Sequence, residues 1–227
     1  MDSNRSNRIK LMDMISRVLP SAFFLFVVIL KSAEVYTFLK VHYSASEPAS
    51  WKFFVDAASK CSTVCFLGLM TILFFIRLQP IGKARSILPR VLAITGTFFV
   101  AIVTLFPRAN LSMTQMFIAS LMSFFGTVMS IFALAHLGRS FSLMAEARRL
   151  VTTGPYRIVR HPLYLFEEVA SLGVLLQFFS PYTAALFVIH VYIQIQRMKN
   201  EELVLEKAFP EYQIYKQTTA RVIPRLY

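Results

Sequence analysis

The segment from Leu150 to Glu168 reads LVTTGPYRIVRHPLYLFEE and combines helix-breaking residues with a dense group of basic and aromatic side chains. The Gly154-Pro155 pair interrupts any helix that arrives from upstream, because proline lacks a backbone N–H and glycine loses the most backbone entropy. Proline is tolerated in the first turn of a helix, so the pattern predicts a new helix that begins at Pro162. Arg160 and His161 would then lie at a helix N-terminus, which attracts anionic groups.

The composition around this segment is that of a membrane protein. Hydrophobic residues make up 56% of the 227 residues and charged residues only 16%, whereas an ordinary soluble domain has about 25% charged residues. Apolar runs long enough to cross a bilayer lie at about 18–39, 53–76, 91–106, 113–137, 163–178 and 183–198. The sequence therefore predicts an all-α, polytopic transmembrane bundle of about five or six spans. The last two runs are short for full spans. The sequence leaves two possibilities open for the hairpin they form: it crosses the bilayer fully, or it is tilted or partly re-entrant.

The predicted topology accounts for the excess of basic residues that gives the chain its net charge of +12. With these spans, 19 Lys and Arg residues lie on one side of the membrane and three in the loops on the other. The positive-inside rule places the basic side in the cytoplasm, so both termini are predicted to be cytoplasmic in a multi-pass membrane protein (of the inner membrane if bacterial). The expected partner is the lipid bilayer, and the charge gives no reason to expect binding to nucleic acid.

Two pairs of ionisable residues fall in the outer half of the predicted spans. Lys31 and Glu34 are one turn apart in the first span, and Asp56 and Lys60 are one turn apart in the second. Side chains at this spacing lie close enough to pair, so each pair is predicted to be a structural ion pair.

The fourth span and the segment after it show two further patterns. Small residues recur every three to four positions at Ala119, Ser123, Gly126, Thr127 and Ser130, which predicts close packing of helix backbones in lipid. Residues 143–153 are polar with interspersed apolar positions, a pattern that predicts a short interfacial helix.

Three polar groups converge at the predicted cytoplasmic mouth of the C-terminal hairpin. They are Tyr156, Arg157, Arg160 and His161; Tyr164, Glu167, Glu168 and Ser171; and His190, Gln194, Arg197 and Glu201, with Glu202 beside them. Polar side chains within an apolar helix must face protein or water rather than lipid. The convergence predicts either a polar cavity open to the cytosol or a hydrogen-bond network that locks the hairpin together.

The chain lacks several motifs of other enzyme classes. No GxGxxG after a strand, Walker A loop, HExxH or GxSxG occurs in the sequence. Cys61 and Cys65 lie one helical turn apart in a predicted span, a position typical of packing residues. No metal site is therefore predicted.

Several segments of the C-terminal part form a set: Gly138-Arg139-Ser140-Phe141-Ser142, Leu150-Val151, Gly154-Pro155-Tyr156-Arg157, Arg160-His161-Pro162-Leu163-Tyr164, Arg197 with Glu201-Glu202-Leu203, and Phe209-Pro210-Glu211-Tyr212 with Tyr215 and Pro224. Together these segments resemble the isoprenylcysteine carboxyl methyltransferase family. They extend over roughly 136–227, about 40% of the chain. The acidic pair is also similar to that of membrane phospholipid methyltransferases.

The resemblance implies a membrane methyltransferase that uses S-adenosylmethionine at the cytosolic face and acts on a lipid-like or prenylated acceptor. It implies N-terminal transmembrane helices over 1–112, about three spans, and a catalytic core over 113–227 whose hairpin forms the cofactor pocket before a C-terminal cytosolic helix. The implied cofactor-binding residues are Tyr156, Arg160, His161, Tyr164 and Glu202. The implied catalytic residues, nearest the methyl acceptor, are Arg197 and Glu201.

Two alternatives remain open. Membrane reductases of the sterol-reductase type have a similar R-H-x-x-Y motif and C-terminal ending but use NADPH, and the acidic pair Glu201-Glu202 argues against a phosphate-rich pocket. A non-enzymatic membrane protein or transporter accounts for the spans but not for the polar convergence. Internal repeats typical of transporters are not visible in the sequence.

Overall fold

The fold is helical, with one two-stranded sheet. The computed structural model describes residues 2–45, 50–84 and 86–224, with side chains from Met14 onward. Its elements are α1 (Asp2–Ser44), α2 (Trp51–Ile76), β1 (Gly82–Lys83), α3 (Leu88–Thr97), α4 (Phe99–Val103), α5 (Met113–Leu137), β2 (Glu146–Ala147), α6 (Pro162–Gln177), α7 (Pro181–Ala208) and α8 (Tyr212–Thr218). The predicted all-α membrane fold is confirmed.

Three helices in the described part of the chain are long and apolar enough to cross a membrane. They span Met14–Ser44, Trp51–Ile76 and Met113–Ser140. The predicted span 91–106 is divided between α3 and α4 by a break at Phe98, and α6 has only 16 residues. A total of five or six crossings therefore stays a prediction.

Helices α1, α2, α5 and α6 pack side by side in that order. α1 packs on α2, α2 on α5, and α5 on α6. The apolar core between them includes Phe24, which stacks on Phe74 with ring centroids 5.3 Å apart, and Leu134. This arrangement anchors the C-terminal hairpin on the longest apolar helices.

The contact between α5 and α6 depends on small residues, as the spacing in α5 predicts. A Cβ added at Gly126 would overlap the backbone nitrogen of Ala170. On the facing helix, a Cβ at Gly173 would lie 2.5 Å from Ser123 Oγ and 2.6 Å from the carbonyl oxygen of Ala119. Only glycine permits this approach, so the prediction of close backbone packing is confirmed.

The predicted interfacial helix within 143–153 is wrong. Glu146 and Ala147 instead form β2, which pairs antiparallel with β1 through Gly82↔Ala147 and Lys83↔Glu146. The backbone N–H of Ala84 also donates to the carbonyl of Ala145 at 3.0 Å. Pairing with a distant segment satisfies backbone groups that the amphipathic pattern assigned to a helix.

One of the two predicted ion pairs is confirmed and the other is wrong. Lys31 Nζ lies 2.8 Å from Glu34 Oε2. Lys60 pairs with the same carboxylate, 2.5 Å from Oε1, rather than with Asp56. Asp56 accepts a hydrogen bond from Ser120 on α5, so both acidic residues connect different helices.

Candidate functional site

Two backbone features shape the loop before α6: a left-handed glycine and a 3₁₀ turn. Gly154 has φ +60°, and a Cβ there would overlap the ring of His136 at the end of α5. Residues Gly154–Arg157 then form a 3₁₀ turn, and α6 begins at Pro162 with His161 as its N-cap. The predicted break and the predicted helix start are therefore confirmed.

The C-terminal segment after α8 fixes the other side of this loop. The backbone N–H groups of Arg160 and His161 donate to the carbonyls of Ala220 and Arg221 at 2.8 and 3.0 Å. The Tyr215 hydroxyl donates to the carbonyl of Tyr156 at 2.5 Å. Residues far apart in sequence thereby hold the loop against α7 and α8.

Glu202 on α7 is the electrostatic centre of this arrangement, and only 3% of it is exposed. Its Oε1 lies 2.9 Å from Arg160 Nε and 3.1 Å from His161 Nε2. Arg221 donates from Nε to Oε1 at 3.0 Å and from Nη2 to Oε2 at 2.8 Å. Burial opposes the charged carboxylate, but the hydrogen bonds from His161 and Arg221 and the charge of Arg160 hold the pKa of Glu202 well below its usual range.

A polar cleft lies beside this centre. Its empty volume, counted together with the open solvent at its mouth, is about 450 Å³. Its lining residues are Leu137, Ser140, Glu146, Arg148, Arg149, Leu150, Val151, Tyr156, Arg160, His161, Glu201, Leu205, Tyr212 and Tyr215.

Four residues of the cleft have buried polar atoms without a hydrogen-bond partner. These atoms are Ser140 Oγ, Arg148 Nε and Nη1, and the hydroxyls of Tyr156 and Tyr212. Burial raises the pKa of both tyrosines well above the usual range, so the two hydroxyls stay protonated and able to donate. Buried donors of this kind are normally paired, so a polar ligand would supply what they lack.

A second polar group lies between α6 and α7. Tyr164 donates to Glu201 Oε2 at 3.1 Å, and its ring lies under the guanidinium of Arg197, 5.1 Å from the ring centroid. His190 is buried, stacks on Phe99 at 4.0 Å between ring centroids, and lies 2.9 Å from Glu168. The structure therefore contains a polar group within the hairpin and a cleft beside it, whereas a cavity that opens to the cytosol stays a prediction.

Arg197 is positioned from α3. Its Nη1 donates to Gln194 Oε1 at 2.6 Å, and its Nε has no partner. Both side chains lie against Gly96, where an added Cβ would be 2.9 Å from Arg197 Nη1 and 3.0 Å from Gln194 Oε1. The absence of a side chain at Gly96 thus leaves room for the buried arginine.

The structure places the predicted site residues in one region but not in one cavity. Tyr156, Arg160, His161 and Glu201 line the cleft. Glu202 lies behind the cleft and holds Arg160 and His161. Tyr164 and Arg197 belong to the hairpin group, which Tyr164 connects to the cleft through Glu201. The individual roles of these residues stay predictions.

Sequence reasoning did not single out Arg148, Ser140, Tyr212 or Arg221 as site residues. Ser140 and Tyr212 lie within the motifs that resemble the methyltransferase family, and these motifs could have identified them. Arg148 and Arg221 gave no such signal, because their positions depend on the β1–β2 pairing and on the C-terminal segment.

These features define a helical membrane protein with a polar cleft between the end of α5, the loop before α6, the C-terminal part of α7, and α8. Residues 117–207, about 40% of the chain, match the model of the isoprenylcysteine carboxyl methyltransferase (ICMT) family. The match runs from α5 to the end of α7, so the expected resemblance is confirmed for most of the region that contains the site. This region is ICMT-like.

Two curated relatives match shorter stretches. The chain is 33% identical over 82 residues to the nickel-cobalt-cadmium resistance protein NccN of Alcaligenes xylosoxydans xylosoxydans, covering 36% of this chain and 38% of that protein. It is 34% identical over 99 residues to the cobalt-zinc-cadmium resistance protein CzcN of Cupriavidus metallidurans, covering 41% of this chain and 46% of that protein. The chain thus matches less than half the length of either relative.

The chain also aligns with a solved structure, that of the eukaryotic intramembrane Ras methyltransferase ICMT. The alignment covers 96% of this chain and 97% of that one, with 15% identity and a TM-score of 0.43.

Metal binding has no visible site in the part of the chain that the structure describes. No group of three or more His, Cys, Asp or Glu side chains is arranged there to hold a metal ion. The metals in the relatives' names belong to those proteins.

Proposed function

We propose that the protein is an S-adenosylmethionine-dependent methyltransferase that acts on an apolar, lipid-like acceptor at the cytosolic membrane face, as an isoprenylcysteine carboxyl O-methyltransferase-like enzyme. The observation that carries the proposal is the position of Glu201. Its side chain lines the polar cleft and accepts a hydrogen bond from Tyr164 in the group between α6 and α7. A soluble ligand in the cleft and an acceptor between the helices would therefore meet at this residue.

The residues of the cleft fit S-adenosylmethionine. Glu146 and Glu201 suit its ammonium group and ribose hydroxyls, and the unpaired donors of Tyr156 and Tyr212 suit its acceptor atoms. Leucine and valine side chains supply an apolar wall for the adenine ring. The match of residues 117–207 to the ICMT family supports the same cofactor.

When bound, the cofactor would supply a methyl group attached to a positively charged sulfur. The acceptor atom would bond to the methyl carbon, and the sulfur would keep the electron pair of the broken carbon–sulfur bond and become neutral. For this chemistry, placement of the reactants accounts for much of the acceleration. Arg197 would orient an acceptor carboxylate, and Glu201 would position a neutral acceptor or take its proton.

The packing of the hairpin favours entry of the acceptor from the bilayer. The two helices of the hairpin have different neighbours, because α6 packs on α5 and α7 packs on α3. At the far end, Phe99, Val103 and Phe178 form an apolar cluster that closes the hairpin. The outer face of α7 exposes Val188, Ile189 and other apolar side chains, as expected for a surface in contact with lipid.

Calorimetric titration of the detergent-purified protein with S-adenosylmethionine, S-adenosylhomocysteine and NADPH tests the cofactor. We expect the two sulfur compounds to bind and NADPH not to bind. Binding of NADPH alone would contradict the proposal and favour the reductase alternative. Binding of none of the three would also contradict it.

The acceptor class is tested by transfer of a labelled methyl group from S-adenosylmethionine. The protein is incubated with a farnesylated cysteine and, separately, with a total membrane lipid extract. We expect label in an organic-soluble product in at least one incubation and none with the Arg197→Ala variant. A wild-type protein that binds the cofactor but labels neither would contradict an apolar acceptor.

A further inference from the structure

Arg148 is the most deeply buried cation of the cleft. Only 1% of its side chain is exposed. Nη2 lies 2.5 Å from Glu146 Oε2, whereas Nε and Nη1 are buried without a partner. An arginine is always charged at neutral pH and has five N–H donors, and a buried charged group with unused donors is costly unless a ligand completes it.

The charge of Arg148 is only partly balanced within the described residues. Glu146 also accepts a hydrogen bond from Ser142 at 2.9 Å and lies 3.6 Å from Lys83 Nζ. Burial lowers the pKa of Arg148, Glu146 opposes that effect, and the positive charges of Arg77 and Arg17 lower it further. The surroundings of Arg148 therefore favour an added negative charge.

Arg160 and His161, two other basic residues of the cleft, differ in this respect. The side chains of Arg160 and His161 are directed to Glu202, which also binds Arg221. Arg160 Nη1 additionally donates to the carbonyls of Lys216 and Thr219 at 2.8 and 2.5 Å. The side chains of Arg160 and His161, where the sequence pointed to an anion, thus already share an acidic partner within the protein.

We propose that Arg148 is the anion-binding residue of the cleft and holds the carboxylate at the amino-acid end of S-adenosylmethionine. Ser140, whose buried hydroxyl also lacks a partner in the same cleft, would share this role. The inference deepens the proposed function and rests on it. Because charge-assisted hydrogen bonds from a guanidinium are strong and geometrically specific, this contact would fix which end of the cleft receives the methionyl group.

The test compares S-adenosylmethionine with its decarboxylated form, which keeps the sulfonium and the amine but lacks the carboxylate. Affinities of both are measured by calorimetry for the wild-type protein, Arg148→Gln and Arg148→Lys. We expect Arg148→Gln to weaken S-adenosylmethionine about 10- to 100-fold and to change the decarboxylated form by less than about twofold. Arg148→Lys should restore part of the difference, because it retains the charge.

Two matched controls are available in the same loop region. Arg149 lines the cleft but is exposed, and Arg157 is exposed and outside the lining. Arg149→Gln and Arg157→Gln should leave the ratio of the two affinities unchanged. If Arg149→Gln instead removes the preference for the carboxylate, the assignment to Arg148 is overturned.

The comparison separates this inference from the proposed function. If neither form binds to the wild-type protein, the proposed function fails and the inference falls with it. If both bind and Arg148→Gln weakens them by the same factor, Arg148 has only a structural role and the cofactor assignment stands. Because each ratio is measured within one variant, partial loss of folded protein does not imitate the expected result.

Discussion

Arg160 and Glu202, 42 positions apart in the sequence, form a buried ion pair with 2.9 Å between Nε and Oε1. His161 and Arg221 share the same carboxylate. One acidic residue on α7 therefore holds the loop before α6 and the segment after α8 together. The walls of the cleft depend on this connection, since Arg160 and His161 both line it.

Replacement of Glu202 should affect both stability and cofactor binding. Removal of one member of a buried charge cluster typically costs about 3–5 kcal/mol, because the partner charges are left uncompensated. Glu202→Gln should therefore lower the melting temperature and abolish binding of S-adenosylhomocysteine in calorimetry. Glu206→Gln on the same helix breaks the more exposed pair with Lys216 and should cost only about 0–1 kcal/mol. Equal melting temperatures for both variants would contradict the central role of Glu202.

The low pKa of Glu202 gives this contribution a defined pH dependence. Its folded-state pKa lies below the ordinary value for glutamate, about 4.3. The stabilisation is therefore fully present above that value and is lost as the pH falls toward the folded-state pKa. The difference in melting temperature between wild type and Glu202→Gln should therefore narrow below about pH 4. A difference that narrows already between pH 7 and 6 would show that another group titrates in its place.

The close packing of α5 on α6 should tolerate no added methyl group. Gly126 faces the backbone of Ala170, which cannot rotate away as a side chain can. Gly126→Ala should therefore lower stability by about 1–3 kcal/mol through overpacking, measured as a drop in melting temperature in detergent. Gly68→Ala on α2 is the control, because nothing lies within 4 Å of the added Cβ. A Gly126→Ala protein as stable as Gly68→Ala would contradict this helix contact.

The features that sequence anticipated are those set by local chemistry. Pro162 marks the start of α6 because proline fits a first helical turn, and the small residues of α5 mark a close contact because their size is a local property. The polar positions of α7 identified a buried face for the same reason.

The features that sequence missed depend on distant partners. Lys60 has an acidic residue one turn away on its own helix, yet it pairs with Glu34 across the α1–α2 contact. Arg148 owes its buried place beside Glu146 to strands of two residues, which are too short to show a periodicity. Such pairings are decided by tertiary packing and leave no pattern in a single sequence.

The fit between Gly96 and Arg197 predicts a variant that separates turnover from cofactor binding. Gly96→Ala would place a Cβ 2.9 Å from Arg197 Nη1 and 3.0 Å from Arg197 Cδ, so the guanidinium must move. A small displacement of a group that positions a reactant lowers the reaction rate strongly. The rate of labelled methyl transfer from S-adenosylmethionine should therefore fall about 10- to 100-fold. Binding of S-adenosylhomocysteine should stay unchanged, since neither residue lines the cleft.

Arg197→Lys provides the comparison for this variant. It retains a positive charge but not the planar guanidinium, so it should show the same split between retained binding and reduced transfer. Gly68→Ala should leave both quantities at the wild-type level. If Gly96→Ala transfers methyl groups as fast as Gly68→Ala, Arg197 does not orient the acceptor. If Gly96→Ala also loses cofactor binding, α3 supports the cleft itself rather than the acceptor side of the site.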